Sequence, residues 1–152
     1  MPQNTLPIFT KVPEVVGSIW TSSLTANTKS DGTGTIATDM VKAFTGDATN
    51  GSFVNKLRFT PSASFASTAT TASVIRVYAS TIASGATTRA DTFLIGEFAV
   101  AAQTADVPTS AVNFFEFPIN AAIPANATIL WSMHHAAAAN TSWQCVAFAG
   151  DY

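Results

Sequence analysis

The sequence is poor in charged residues. Only 11% of its 152 residues are Asp, Glu, Lys or Arg, whereas a typical soluble domain contains about 25%. The seven basic residues are scattered, and only Lys56 and Arg58 stand two apart on one predicted strand. Nucleic-acid binding without sequence preference requires several phosphates to be neutralised together, so we expect no nucleic-acid partner. So few charges are typical of a protein packed against neighbours, or of a stable secreted β-domain.

Cysteine and long apolar runs are also scarce. Cys145 is the single cysteine, which excludes an intrachain disulfide framework, and its place in a predicted strand favours a small buried hydrophobe. No window approaches the roughly 18 consecutive apolar residues of a membrane span, so no membrane partner is expected. The N-terminus, MPQNTLPIFTKVPEVVG, has no cationic stretch followed by an apolar one, and we therefore expect no signal peptide.

Patterns that carry catalysis or hold metals are missing as well. His134 and His135 are adjacent, and adjacent residues of a strand point to opposite faces, so they are not expected to chelate one ion. No G-x-S-x-G or cysteine-protease signature accompanies Cys145. Glu97 and Glu116 are expected on half-exposed strand faces rather than beside a glycosidase cleft. We predict no enzyme activity, no cofactor and no metal.

What the sequence does contain is a series of short apolar segments separated by turn-rich loops. Their apolar residues recur with a period of two, which is typical of strands. The predicted strands cover residues 18–24, 35–45, 52–60, 73–80, 92–101, 113–119, 128–133 and 141–149. This spacing predicts an all-β fold, a jelly-roll-like antiparallel β-sandwich of about eight strands with an extended N-terminal arm. An immunoglobulin-like sandwich is the alternative, although the second cysteine of its core is missing.

Residues 113–133 are expected to form the hydrophobic spine of the sandwich. Alternation places Phe115 and Phe117 of the first run, with Trp131 of the second, in the core. The same alternation turns Phe114 and Leu130 outward. These two apolar side chains are therefore candidate contacts for a neighbouring subunit.

The N-terminal segment is apolar but interrupted by prolines. Residues 1–16 contain three prolines, which disfavour a regular ladder and favour extended backbone. We predict an extended arm over residues 1–16, followed by a single β-sandwich domain over residues 17–152; an ordinary lead-in strand is the alternative. The arm's candidate interface residues are Leu6, Ile8, Phe9 and Val12.

Two predicted strands are apolar on both faces, at residues 93–100 and 143–148. A strand with one wet face should alternate cleanly between apolar and polar residues. Two explanations fit these strands: contact with another subunit, or a fully buried central position in the sheet.

Several phrases of the sequence together carry a family resemblance. In chain order they are TLPIFT, IWTSSLTANTKSDGTGT, NGSFVNKLRF, VIRVY, EFPINAAIPANATIL and the closing WQCVAFAGDY. In this order the chain resembles a group of small structural proteins of tailed bacteriophages, and the similarity runs along most of its length.

The resemblance implies a capsid decoration, or cement, protein. Such a protein binds the outer surface of the phage head as a homotrimer and stabilises contacts between major capsid protein subunits. The expected partner is therefore the major capsid protein, and the expected location is the virion's outer capsid surface after synthesis in the host cytoplasm. The alternative is a phage tail or fibre module, or another carbohydrate-binding β-sandwich, in which exposed Trp or Tyr side chains stack on sugars.

Overall fold

The computed structural model describes residues 10–64, 68–105 and 111–152. In these ranges the chain forms strands and connecting segments, and no described helix is long and apolar enough to cross a membrane. The strands are β1 (Val12–Thr21), β2 (Gly34–Thr35), β3 (Val41–Thr45), β4 (Ser52–Ala63), β5 (Thr68–Ala69), β6 (Ser73–Ser80), β7 (Ala86–Thr87), β8 (Thr92–Val100), β9 (Thr104–Ala105), β10 (Phe115–Ile123), β11 (Thr128–Met133) and β12 (Thr141–Asp151).

Eight of these strands form two four-stranded antiparallel sheets. The first sheet has the order β1-β12-β4-β10 and the second has the order β3-β11-β6-β8. In chain order the eight strands pair from the outside in: β1 with β12, β3 with β11, β4 with β10 and β6 with β8. This nesting of pairs is the topology of a jelly roll. The predicted all-β, jelly-roll-like sandwich is therefore confirmed.

Aromatic side chains from both sheets fill the core. Trp20 of β1 and Phe59 of β4 face Trp131 of β11, with ring centroids 5.7 and 5.2 Å apart. The indole N–H of Trp131 donates to the hydroxyl oxygen of Ser18 at 3.0 Å. Because large rings bury much apolar surface and pack edge-on or tilted, these contacts hold the two sheets together.

The outer face of the second sheet is covered by the chain itself. The connection between β1 and β3, residues 22–40, folds across the middle of this face. Met40 and Ile36 of the connection pack against Tyr78 of β6 and Leu130 of β11 in a second apolar cluster. β11 is therefore buried on both faces.

Polar contacts fix the same connection in place. Arg76 of β6, only 8% exposed, donates to the carbonyl oxygens of Asn27 at 3.1 Å and Lys29 at 3.4 Å. The Tyr78 hydroxyl donates to the Lys29 carbonyl at 3.1 Å. Buried backbone carbonyls need such partners, so the strand side chains determine where the connection lies.

The inward and outward sides of β4 differ from the simple alternation of its sequence. Alternation predicts Phe53, Leu57 and Phe59 on one face, but the buried residues are Val54, Leu57 and Phe59. A register shift against β12 leaves Asn55 without a partner. One extra residue in a strand exchanges the two faces from that point, so Phe53 lies half-buried on the outer side.

Two predicted boundaries also differ. β1 begins at Val12 and pairs with β12 along its length, so residues 12–16 belong to the sandwich rather than to the predicted arm. Pro13 is tolerated there because β1 is an edge strand. The strand predicted over residues 35–45 is divided into β2 and β3 by a turn in which Ala37 has φ 70°.

Candidate protein-interaction surfaces

The outer face of the first sheet exposes apolar side chains. Val15 and Ile19 of β1 are 69% and 48% exposed, and Phe114 beside β10 is 55% exposed. Single exposed apolar residues are ordinary, but a group on one surface is typical of an interaction site. We call this surface the open face, and we define it by Val15, Ile19, Lys56, Arg58, Phe114, Glu116 and Phe148.

A charged and aromatic cluster occupies the β4–β10 half of the open face. Lys56 and Arg58 both donate to one carboxylate oxygen of Glu116, at 2.8 and 2.7 Å. The Arg58 guanidinium also lies 4.6 Å from the ring centroid of Phe114 and 5.4 Å from that of Phe148. Arginine held between aromatic rings is pre-organised for contact, and arginine and aromatic residues dominate binding hot spots.

The electrostatics of this cluster favour its ionised form. Hydrogen bonds from Lys56 and then from Arg58 hold the pKa of Glu116 below its ordinary value. Two cations share one carboxylate, so the cluster keeps one net positive charge. Exposed ion pairs add little stability, and their main effect here is to orient Arg58.

A second exposed apolar surface lies along β8, at an edge of the second sheet. Phe93, Leu94 and Ile95 are 54%, 37% and 44% exposed. A register shift against β6 leaves Ile95 without a counterpart. Three consecutive exposed apolar residues on an edge strand are unusual for an isolated domain.

Between β8 and β10 the sandwich opens into an apolar cleft of about 360 Å³. We call it the β8–β10 cleft. Its lining residues are apolar: Ala79, Ile95, Phe117, Pro118, Ile119, Ala121, Ala122, Ile123, Pro124 and Ile129. This volume lies within the range of about 300–1,000 Å³ that is typical of binding pockets.

The structure describes three of the six predicted interface residues and places them in two different environments. Val12 and Phe114 are exposed, at 54% and 55%. Leu6, Ile8 and Phe9 lie outside the described residues. Leu130 does face outward from its sheet, as alternation predicts, but it is fully buried. The expectation that Leu130 is available to a neighbour is therefore wrong, because the connection of residues 22–40 covers it.

Val15, Ile19, Phe93 and Ile95 are exposed apolar residues that the sequence pattern does not single out. The available signal was the two-sided apolarity of two strands, for which two explanations stood open. Residues 143–148 lie in β12, a central strand, whereas residues 93–100 lie in β8, an edge strand. Only the strand order separates the two cases.

The two histidines that were considered as metal ligands each contact a different group. His134 Nδ1 lies 3.3 Å from Arg76 Nη2, and His135 Nδ1 lies 3.1 Å from the Ala72 carbonyl oxygen. Within the described ranges, no group of three or more His, Cys, Asp or Glu residues is arranged to hold a metal ion. Burial raises the pKa of Cys145 to about 12, so its thiol is neutral and unreactive in the folded chain.

All three tryptophans, whose rings would suit stacking on sugars if they were exposed, lie in the core. Trp20, Trp131 and Trp143 are at most 1% exposed. Sugar stacking on any of them would require the sandwich to open.

Comparison with known proteins gives little further information. No protein-family model and no curated protein matches the chain. Among solved structures, the chain has a likeness to dimeric latent PorU from Porphyromonas gingivalis, with a TM-score of 0.30 and 13% identity. The match covers 95% of this chain and 14% of the PorU chain. A likeness at this level carries no argument about function.

Proposed function

We propose that this protein is a virion structural protein, a capsid decoration or cement protein. It binds the outer surface of a phage head as a homotrimer and stabilises contacts between major capsid protein subunits. The sequence resemblance suggests this role, and the surface of the sandwich is compatible with it.

One observation carries the proposal: the outer face of the second sheet is covered by the chain itself, whereas the outer face of the first sheet is exposed. The chain covers the second sheet with its own connection, burying Leu130 and Tyr78. The first sheet leaves Val15, Ile19 and Phe114 exposed around an oriented arginine. A flat face that combines apolar side chains with one net positive charge suits docking onto another protein.

The binding free energy expected from such a face fits a protein that binds a capsid in several copies. Fully burying one side chain of this kind contributes about 1.5–3 kcal/mol, so a few contacts give a modest affinity for one subunit. Trimerisation multiplies these contacts, and linked sites gain affinity without any new contact.

The test measures the binding of purified protein to empty capsids by co-sedimentation. We expect a soluble trimer that binds capsids, and we expect Phe114→Asp to weaken binding by about tenfold or more, because a carboxylate must then be desolvated. Thr28→Asp is the control: Thr28 is exposed and lies in the connection of residues 22–40, on the outer face of the second sheet.

Two results would contradict the proposal. One is a monomer that binds glycans and ignores capsids. The other is immunogold labelling of virions at the tail tip rather than on the head, which would indicate the tail or fibre alternative.

A further inference from the structure

β8 is the least protected of the four edge strands of the two four-stranded sheets. β1 contains Pro13, β10 contains Pro118 and a register shift, and β3 has five residues, one of them Lys42. Proline, lysine, short length and irregular register are devices that prevent an edge from pairing with another chain. β8 has nine residues without proline or lysine, and its single charge, Glu97, is paired with Arg76 at 2.8 Å. Its one protecting irregularity is the register shift at Ile95.

The β8–β10 cleft lies directly beside this edge. Ile95 of β8 forms one wall, and Phe117 and Ile119 of β10 form the other. A strand added to β8 would extend the second sheet over the mouth of the cleft, because neighbouring strands lie about 4.8 Å apart. Alternate side chains of such a strand would point into the cleft. The site therefore fits an extended peptide with apolar residues two apart.

Residues 5–9 of this chain, TLPIF, have that pattern. Leu6 and Ile8 stand two apart, so a strand conformation places both on one face. In a strand the N–H and C=O of one residue point to the same side. If the backbone N–H and C=O groups of Leu6 and Ile8 hydrogen-bond to β8, the backbone groups of Pro7 point away from β8. The missing N–H of Pro7 then removes no hydrogen bond between the two strands.

Too few residues separate Ile8 from Thr10 for Leu6 and Ile8 to reach the β8–β10 cleft of the same copy. The Lys11 N–H donates to the Asp151 carbonyl at 2.7 Å, and Thr10 lies over Gly150 of β12, where an added Cβ would be 2.7 Å from the Thr10 Cβ. Ile8 is two residues away and reaches at most about 7 Å from Thr10. β10 is two strand spacings from β12, about 10 Å, and the cleft lies beyond it.

We propose that residues 5–9 of one copy add as a strand to the β8 edge of the next copy, with Leu6 and Ile8 in the β8–β10 cleft. The donor segment leaves from the β1 edge and the acceptor lies at the opposite side of the sandwich. The contact therefore joins two different surfaces, head to tail, and such contacts close into rings when the rotation allows. The inference rests on the self-association in the proposed function but not on capsid binding.

The first experiment uses complementary variants of the full chain and measures their mass in solution by light scattering. Ile8→Asp disables the donor, and Ile95→Asp disables the acceptor. Ile19→Asp is the matched control, because Ile19 is exposed to nearly the same extent, 48% against 44%, on the opposite edge of the sandwich. We expect wild type and control to form the same oligomer and each of the other two variants to be monomeric.

Mixing the two monomeric variants tests the head-to-tail geometry. The mixture retains one intact donor and one intact acceptor, so a 1:1 dimer is expected and no larger species. Thermal melts that match the control exclude misfolding. The inference is overturned if wild type is monomeric, if either variant keeps the wild-type mass, or if the mixture stays monomeric.

A covalent trap gives a second, independent measurement. Oxidising the double variant Ile8→Cys/Ile95→Cys should link successive copies into covalent oligomers. Cys145 is buried and should not take part. Monomers that remain unlinked, although wild type is oligomeric, would contradict the proposed pairing.

Capsid binding separates this inference from the proposed function. Deletion of residues 2–9 should produce a monomer that still binds capsids weakly through the open face. An oligomer of unchanged mass that no longer binds capsids would instead show that the segment contacts the capsid. That result overturns the inference and leaves the proposed function standing.

Discussion

Arg76 shows how much one side chain can determine. It donates to Glu97 on the neighbouring strand and to two carbonyls of the connection of residues 22–40, and it also lies beside His134. Arginine suits this position because its planar fork supplies several donors in fixed directions. Arg76 is therefore the main polar anchor of the connection of residues 22–40.

We expect Arg76→Met to destabilise the protein by about 1–3 kcal/mol, because the stem still packs but the buried carbonyls lose their donor. Urea unfolding followed by tryptophan fluorescence measures the effect. Arg89→Met is the control: Arg89 pairs with Asp31 at 2.7 Å but is 77% exposed, so its loss should cost less than about 1 kcal/mol. Equal losses for the two variants would contradict the role of Arg76.

Glu14 gives a pH-dependent prediction. Burial, followed by the nearby Asp151 and Asp47 carboxylates, raises its pKa above the ordinary value. The folded chain then binds this proton more tightly than the unfolded chain does. The resulting stability is fully present below the unfolded pKa and is lost as pH rises through the folded one. Glu14→Gln removes that loss, so the variant should gain stability over wild type as pH rises from about 4 to neutrality.

Glu116→Gln should behave in the opposite way. Hydrogen bonds from Lys56 and Arg58 lower the pKa of Glu116, so its contribution is present at neutral pH and is lost as pH falls through the folded pKa. The variant should therefore be less stable than wild type at neutral pH and approach it in acid. Melting temperatures measured across pH distinguish the two profiles. Parallel profiles for wild type and both variants would contradict both assignments.

At the scale of elements, the connection of residues 22–40 decides which face of the sandwich is free. It turns the outer face of the second sheet into a second, smaller core of Met40, Tyr78 and Leu130. The sequence of this connection is rich in turn residues, such as Asn27, Asp31 and Gly32, which predicts a loop but not where the loop lies.

Leu130→Ala tests whether this covering cluster is a true core. We expect a loss of about 2–4 kcal/mol, because removing buried methyl groups leaves a cavity. Phe114→Ala on the open face should cost less than about 1 kcal/mol, since it loses little more than its contact with Arg58. Chemical denaturation of both variants gives the comparison. A loss of less than about 1 kcal/mol for Leu130→Ala would show that the connection does not bury it in solution.

The sequence predicts where most strands lie, but it does not predict which face of each strand is buried. Residues 73–80 form β6 as predicted, because each strand's alternation is a local property. The exchange of faces at Asn55 depends on pairing with β12, more than 80 residues away in the sequence, as the partners Val54 and Ala149 show. A local pattern contains no information about such a partner.

At the scale of the whole molecule, the jelly roll joins the two ends of the described chain. β1 pairs with β12 over ten residue pairs, from Val12 with Asp151 to Thr21 with Ser142. The core contact of Trp20 with Trp131 also forms only when both sheets are packed together. The native state therefore depends on contacts that are very distant in sequence.

We expect refolding on a timescale of milliseconds to seconds or slower, because loop closure must precede such distant contacts. Stopped-flow refolding from urea, followed by tryptophan fluorescence, measures this rate. Relaxation within microseconds would contradict the nested topology.

A variant that lacks β12 should show no folding transition, since β12 pairs with both β1 and β4.

The sequence alone determined the all-β class, the approximate positions of the eight main strands and the inward direction of Phe115, Phe117 and Trp131, because alternation and turn residues act locally. It also presented Phe114 as an exposed apolar residue, and that residue does lie on the open face. Tertiary structure alone decided that Leu130 is covered and that β8 is an edge. Whether an outward side chain meets water depends on which connection crosses its sheet and on how the strands are ordered, and both follow from long-range pairing.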